Sequence, residues 1–239
     1  MILVLGGTSD AREIATGLME VGADFVVSLS GATTRSAVPE YPVRTGGFGG
    51  VDGLVEYLGK AEIAAIIDAT HPFAANISRS AAVAAEVSGV PIVRFDRPEW
   101  AESEAADWRC VDDLGAAAHA LPSGSRAFLT VGSRSLEPFI SRADVWFLFR
   151  SIENTGMPFV QGEALIDRPP FTMASEIELM RRHRITHLVT KNSGGGQTCA
   201  KLEAAADLGV PVIVVGRPVL PVVESASTVS GILRWAEQI

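Results

Sequence analysis

Cysteine is almost missing. Of 239 residues only Cys110 and Cys199 carry a thiol, at no spacing used by zinc or dithiol motifs. That excludes a disulfide scaffold, predicts no metal centre and suits a reducing compartment, so the expected location is cytoplasmic. No apolar run approaches the roughly 18 residues that a membrane-spanning helix needs. The opening Met1–Leu5 run lacks a basic flank and a small-residue cleavage site, and reads as a first strand rather than a signal peptide. Basic charge is scarce as well. Twenty Lys and Arg face 28 Asp and Glu, a net charge of −8, which disfavours a nucleic-acid partner. A G-x-S-x-G elbow, a Walker lysine loop and a full G-x-G-x-x-G are all absent.

What is present is enough for real cores: 47% of the residues are hydrophobic and 20% charged. The length suits two domains of roughly 100–150 residues. The acidic excess lies in residues 1–121, with 8 basic and 17 acidic side chains; residues 122–239 carry 12 and 11. Arginine, suited to bidentate binding of carboxylate or phosphate, supplies 17 of the 20 basic residues. Genome bias explains such a composition equally well.

Apolar runs alternate with helical patterns from end to end, the mark of an α/β chain with mostly parallel strands. Strands are expected near 2–5, 24–29, 63–68, 91–95, 126–131, 145–150, 186–190 and 211–215. Helices are expected near 10–21, 51–60, 76–88, 112–120, 174–184, 198–208 and 226–237. The turn chemistry of Pro122-Ser123-Gly124-Ser125 places the boundary there, giving domains 1–121 and 122–239. The acidic stretch Glu99–Asp113 reads as a solvated crossing segment. The two halves echo one another. Gly89-Val90-Pro91 and Arg97-Pro98 recur 120 residues on as Gly209-Val210-Pro211 and Arg217-Pro218, and Thr70-His71 aligns with Thr190-Lys191. The fold class is therefore α/β: two Rossmann-like domains with mostly parallel sheets facing a central cleft, lined by the loops at strand carboxyl ends.

Three loops carry the chemistry. The first, Leu5-Gly6-Gly7-Thr8-Ser9-Asp10-Ala11-Arg12, turns from strand into helix. Its glycines permit close approach to a pyrophosphate, Thr8 or Ser9 can cap the helix, and the free helical N–H groups attract anions. The second strand then ends in Ser28-Leu29-Ser30-Gly31-Ala32-Thr33-Thr34-Arg35, with no carboxylate for a ribose hydroxyl. Ser30, Thr33 and Arg35 suit a 2′-phosphate, which favours NADP(H). Arg44-Thr45-Gly46-Gly47-Phe48, after an expected third strand, either lets backbone approach the adenosine at Gly47 or is a flexible loop. The second loop is Asp68-Ala69-Thr70-His71-Pro72-Phe73-Ala74, where Asp68 can orient His71 or bind the loop backbone, and Asn76 can cap the next helix. The third is Lys191-Asn192-Ser193-Gly194-Gly195-Gly196-Gln197-Thr198, an anion-receiving loop in form, with Gly132-Ser133-Arg134-Ser135 as a second in the same half. The Tyr-x-x-x-Lys pair of many NADP-dependent reductases and epimerases is absent, since the only tyrosines are Tyr41 and Tyr57 and Tyr57 lies three residues before Lys60.

Taken in order, Gly6–Arg12, Asp68–Ala74 and Thr190–Gly195 resemble the precorrin-6A reductase family, NADPH-dependent enzymes of cobalamin (vitamin B12) ring synthesis, over essentially the whole chain. Asp10 stands where the family pattern would have Glu. The resemblance implies two α/β domains with substrate between them, and reduction of one double bond of a conjugated tetrapyrrole to give precorrin-6B. Residues 1–121 would bind NADP(H) through Gly6, Gly7, Thr8, Ser9, Asp10, Ser30, Thr33, Arg35, Gly47, Ala69 and Thr70. Residues 122–239 would close over a tetrapyrrole polycarboxylate. His71, Pro72, Phe73, Arg97, Ser133, Arg134, Lys191, Asn192, Ser193 and Gly194 would meet that substrate, with Phe73 or Trp100 covering its ring. His71 and Asp68 are the catalytic candidates; the proton could equally come from another side chain or from water. The expected protein is a monomer or weak homo-oligomer. The cobalt-containing substrate of the anaerobic route, or a non-catalytic NADP-sensing module, are the other readings.

Overall fold

A computed structural model of the chain describes residues 1–31, 40–103, 106–152, 156, 158–196 and 198–239. They form two compact units. One joins Met1–Pro98 to Pro218–Ile239, and the other is Glu99–Arg217.

The first unit runs β1 (Ile2–Leu5), α1 (Ser9–Glu20), β2 (Phe25–Leu29), β3 (Val43–Thr45), α2 (Val51–Lys60), β4 (Ala65–Asp68), α3 (Ala75–Ser88) and β5 (Ile92–Phe95), then takes β12 (Glu224–Ala226) and α8 (Val229–Ala236) from the far end of the chain. Its sheet has the order β3-β2-β1-β4-β5-β12, with every pair parallel. Parallel strands joined by helical crossovers are covered on both faces, which is why β1 and β4 are apolar throughout up to Asp68. Ile14 and Leu18 of α1 pack with Ile232 and Trp235 of α8 on one face; Leu54 and Leu58 of α2 and Ala81 and Ala85 of α3 fill the other.

The second unit contains β6 (Trp108–Val111), α4 (Leu114–Ala120), β7 (Arg126–Leu129), α5 (Glu137–Ile140), β8 (Trp146–Ser151), β9 (Gly162–Ile166), α6 (Met173–Arg182), β10 (His187–Lys191), α7 (Ala200–Leu208) and β11 (Val212–Val215). Its sheet is ordered β9-β8-β7-β10-β11-β6, again all parallel. Side chains along β8 alternate. Leu148 joins Phe128, Met180, Leu188 and Leu202 in one layer, while Phe147 meets Phe139 and Phe159.

Both sheets thus share one order: two strands to one side of β1 or β7, three to the other. The direction of progression reverses between β1 and β4 and between β7 and β10, the places where such sheets receive ligands.

The units divide the chain differently from the expected boundary at 121/122. Pro122–Ser125 is a turn inside the second unit, closed by Ser125 N–H on Pro122 O and Gly124 N–H on Asp144 O. The cause is β6. It lies in the acidic stretch expected to be a solvated crossing, yet pairs with β11, so the chain has already changed units at Pro98. The return at Arg217-Pro218 lets β12 pair with β5. The two Arg-Pro steps of the echo are therefore the two crossing points.

The echo is accurate around β5 and β11. Helices α3 and α7 both end on a left-handed glycine, Gly89 and Gly209, and Val90 and Val210 donate to Ala85 O and Ala205 O. It fails one strand earlier. Ile66 pairs with Ile92 but Leu188 pairs with Val212, so the counterpart of Thr190 is Asp68 rather than Thr70. Asn76 does not cap α3 either; the helix starts at Ala75 behind Ala74, which offers no capping side chain. Among the described residues no helix is long and apolar enough to cross a membrane.

Candidate functional site

In the first unit the switch between β1 and β4 is pinned by a single side chain. Thr8, not Ser9, caps α1: its Oγ1 accepts from Ala11 N at 3.0 Å and donates to Ala69 O at 2.8 Å. The first and second loops are thereby tied together. The two glycines before it do different work. A Cβ on Gly6 would sit 2.9 Å from Val27 Cγ1, so Gly6 serves strand packing. Gly7 has φ +115° and a Cβ there would meet nothing within 4 Å, so the space before the α1 N-terminus is open to a ligand. Asp10 would repel a phosphate at that position, but its Oδ2 lies 2.6 Å from Arg97 Nη1, both side chains largely buried, and the pair is neutral. Arg97 is thus placed on the first loop. An open glycine turn, a capped helix start and a neutralised carboxylate fit a pyrophosphate-bearing cofactor.

At the ends of β2 and β3, Arg44 gathers its surroundings. Nη1 donates to Ser28 Oγ (2.6 Å) and Gly46 O (3.0 Å), Nη2 to Gly47 O (3.1 Å), and the guanidinium lies 3.9 Å over the Phe48 ring. Ser30 and Gly47 are exposed beside it. Thr33 and Arg35 lie outside the described residues.

The second loop is organised by Asp68, 1% exposed. Its Oδ1 accepts from Thr70 N (3.2 Å) and Thr70 Oγ1 (2.7 Å), and Oδ2 from Arg94 Nε (3.3 Å). Because the Thr70 hydroxyl proton is committed to Asp68, Ser78 Oγ at 3.2 Å is the donor to Thr70. Arg94 Nη1 continues the chain to Pro221 O. None of these bonds reaches His71, so Asp68 binds the loop backbone, one of its two expected uses. His71 itself is exposed. Its Nδ1 accepts from Phe73 N at 3.2 Å, which leaves the ring proton on Nε2, and its ring lies 5.9 Å from that of Phe73. Pro72 and Phe73 are half-buried.

In the second unit the matching switch lies between β7 and β10, and a side-chain contact bridges it: Lys191 Nζ donates to Ser135 Oγ at 2.6 Å. Burial pulls the Lys191 ammonium down to about 8. Ser133 and Arg134 stand exposed on the short 3-10 turn Ser133–Ser135. Asn192 is 8% exposed and its amide faces inward. Nδ2 donates to Glu99 Oε2 (2.9 Å) and Trp100 O (3.3 Å), and Oδ1 accepts from Trp100 N (2.9 Å). Arg217 donates to Asn192 O and Ser193 O. Trp100, expected as a cover for a ligand ring, donates from Nε1 to Gly195 O of this loop.

Behind the loop lies a charged group that sequence reasoning missed. Arg150 of β8 and Glu176 of α6, both buried, form a two-pronged ion pair, and Phe171 stacks 3.6 Å from the guanidinium. Lys201, 4% exposed, donates to Thr198 O at 2.7 Å and sits 4.7 Å from the Trp100 ring. The available signal was charge inside otherwise apolar periodic segments.

Two parallel sheets of dinucleotide-binding order, one opening on a glycine turn and helix start, define a two-unit α/β protein of Rossmann-like class. Comparison with known proteins supplies the family. The model of precorrin-6x reductase CbiJ/CobK matches residues 1–237. The precorrin-6A reductase of Rhodococcus erythropolis is 47% identical over 98% of this chain and 96% of its own. That of Rhodobacter capsulatus is 40% identical over 98% and 94%. A solved structure titled CobK precorrin-6A reductase superposes with a TM-score of 0.93 at 40% identity, covering 99% of this chain and 96% of its own. The chain belongs to the precorrin-6x reductase family.

Proposed function

We infer that this protein is a precorrin-6A reductase of cobalamin biosynthesis that takes its hydride from NADPH. The observation that carries the reading is family membership along the whole chain, joined to an open glycine turn at the reversal point of the first sheet. Bound NADPH supplies the hydride to one carbon of a conjugated double bond, and the neighbouring carbon takes a proton.

In this reading Gly6–Asp10 receive the pyrophosphate, with Thr8 holding the turn and Arg97 cancelling the charge of Asp10. Arg44, with Ser30, Thr33 and Arg35, attends the 2′-phosphate. Ala69 and Thr70, held by Asp68, flank the nicotinamide. His71, whose Nε2 carries the ring proton, is the candidate proton donor. Precorrin-6A bears acetate and propionate side chains on a broad apolar ring. Ser133, Arg134, Lys191, Ser193 and Gly194 supply donors for those carboxylates, and Pro72 and Phe73 offer apolar contact. Asn192 contributes by fixing the loop. The metal-free substrate is favoured because the relatives named for it are 40–47% identical, whereas those named cobalt-precorrin-6A reductase are 29–32% identical.

The test is turnover by the purified protein. Precorrin-6A with NADPH should lose reduced-nicotinamide absorbance in equal amount to precorrin-6B formed, faster than with the cobalt-containing analogue. NADPH binding without turnover of either tetrapyrrole would refute the assignment and leave a sensing module.

A further inference from the structure

The loop after β10 is held in an unusual way: its carbonyls, not its N–H groups, are taken by side chains. Arg217 Nε donates to Asn192 O at 3.0 Å and Nη2 to Ser193 O at 3.3 Å. Trp100 Nε1 donates to Gly195 O at 2.8 Å, and Lys201 Nζ to Thr198 O at 2.7 Å. Trp100 is in turn fixed by Asn192 through both its backbone groups, and its ring lies 4.7 Å from Lys201 Nζ. In a trans peptide the C=O and the following N–H point to opposite sides. Drawing Ser193 O and Gly195 O onto Arg217 and Trp100 therefore turns the N–H groups of Gly194 and Gly196 away from both clamps. Neither N–H donates a hydrogen bond to any described residue, although Gly194 is buried. Buried N–H groups rarely go unpaired in a finished site.

We propose that Trp100 and Arg217 are positioning residues that aim the Gly194 and Gly196 N–H groups at a carboxylate of the tetrapyrrole. The inference rests on the reading that the 191–194 loop receives the substrate. It assigns a use to the crossing segment at Glu99-Trp100 and to the Arg-Pro step at 217, neither of which touches substrate in this account. Two backbone N–H groups with Lys191 beside them form a cradle for one carboxylate, and fixing them beforehand removes the cost of ordering a triple-glycine loop on binding.

Trp100→Phe tests this in the full-length enzyme. The phenyl ring keeps its place over Lys201 but cannot donate to Gly195 O. Loss of one positioning hydrogen bond should raise KM for precorrin-6A about fivefold, with kcat and the KM for NADPH unchanged. Backbone order at Gly194–Gly196, read from nitrogen-15 relaxation, should fall while β1 and β2 keep theirs. Arg217→Lys, which gives up the two-pronged grip, should move the same quantities the same way. Lys191→Met separates the inference from the reading beneath it. A tetrapyrrole KM raised by Lys191→Met but unmoved by Trp100→Phe and Arg217→Lys overturns the positioning role alone. A KM unmoved by all three overturns the loop as a substrate site, and the inference with it. Unchanged backbone order at Gly194–Gly196 in Trp100→Phe also refutes the positioning role.

Discussion

Replacing Lys201 by methionine should flatten the rise of stability with pH above neutrality. Lys201 is 4% exposed, and burial, then the nearby Arg150, pull its pKa from the ordinary 10.5 down to about 7; Glu176 and Cys199 act in the opposite direction. In the unfolded chain the amine ionises near its ordinary value. Below pH 7 both states hold the proton, and the folded state bears the whole cost of a cation beside a second cation. Between about 7 and 10.5 the unfolded chain binds more protons than the folded one, so stability climbs with pH, by up to about 1.4 kcal/mol per unit. Methionine fills a similar volume and does not titrate. From about pH 7 to 8.5 the parent should therefore gain roughly 2 kcal/mol relative to Lys201→Met. Urea unfolding of both proteins, followed by tryptophan fluorescence across that range, gives the two slopes. The lost Thr198 contact shifts the variant's curve as a whole and leaves the slope comparison intact. Parallel curves would refute a neutral Lys201 in the folded protein.

Three further outcomes follow from the sites. Arg44→Ala should weaken NADPH binding about tenfold through loss of a charge-assisted hydrogen bond, and leave NADH nearly unchanged; equal losses for both rule out a 2′-phosphate contact. Arg150→Met leaves the Glu176 carboxylate buried without its partner and should cost about 3–5 kcal/mol of stability, most of it recovered when Glu176→Leu is added; thermal melts of the single and double variants decide it. His71→Ala should lower turnover about a hundredfold and remove one limb of the pH–rate profile, whereas full turnover with an unchanged profile would exclude His71 as the acid.

The interior of both sheets was legible in the amino-acid sequence, and their edges were not. The central strands carry short apolar runs because helices cover them on both sides, as in Ala65-Ile66-Ile67. The strands left out or unplaced were β3, β6, β9 and β12, the four edge strands. Val43–Thr45 and Glu224–Ala226 are three residues long, and Trp108–Val111 and Gly162–Ile166 carry exposed polar positions, so no apolar run marks them. That one blind spot also misplaced the domain boundary, since β6 and β12 are the strands that cross.

The three loops were recognisable because glycine, hydroxyl and charge collect where strands end. Partner choice was not recognisable. Arg97 follows β5 yet meets Asp10 in the first turn of α1, and Arg94 meets Asp68 because β4 and β5 are neighbours. Such pairings depend on strand order, which a local pattern does not contain. Asn192 looked like a free donor for the same reason; its partners Glu99 and Trp100 lie more than ninety positions away.

The central claim is a division of labour: the first unit holds the nicotinamide cofactor and the second holds the carboxylates of the tetrapyrrole. Binding calorimetry with NADP+ and with precorrin-6A, on Gly7→Val and Lys191→Met, reads that division directly. Gly7→Val puts a branched side chain at φ +115° into the open turn and should abolish NADP+ binding while sparing the tetrapyrrole. Lys191→Met should do the reverse. If either variant lost both ligands while its circular dichroism matched the parent, or lost the opposite ligand, the account would be contradicted.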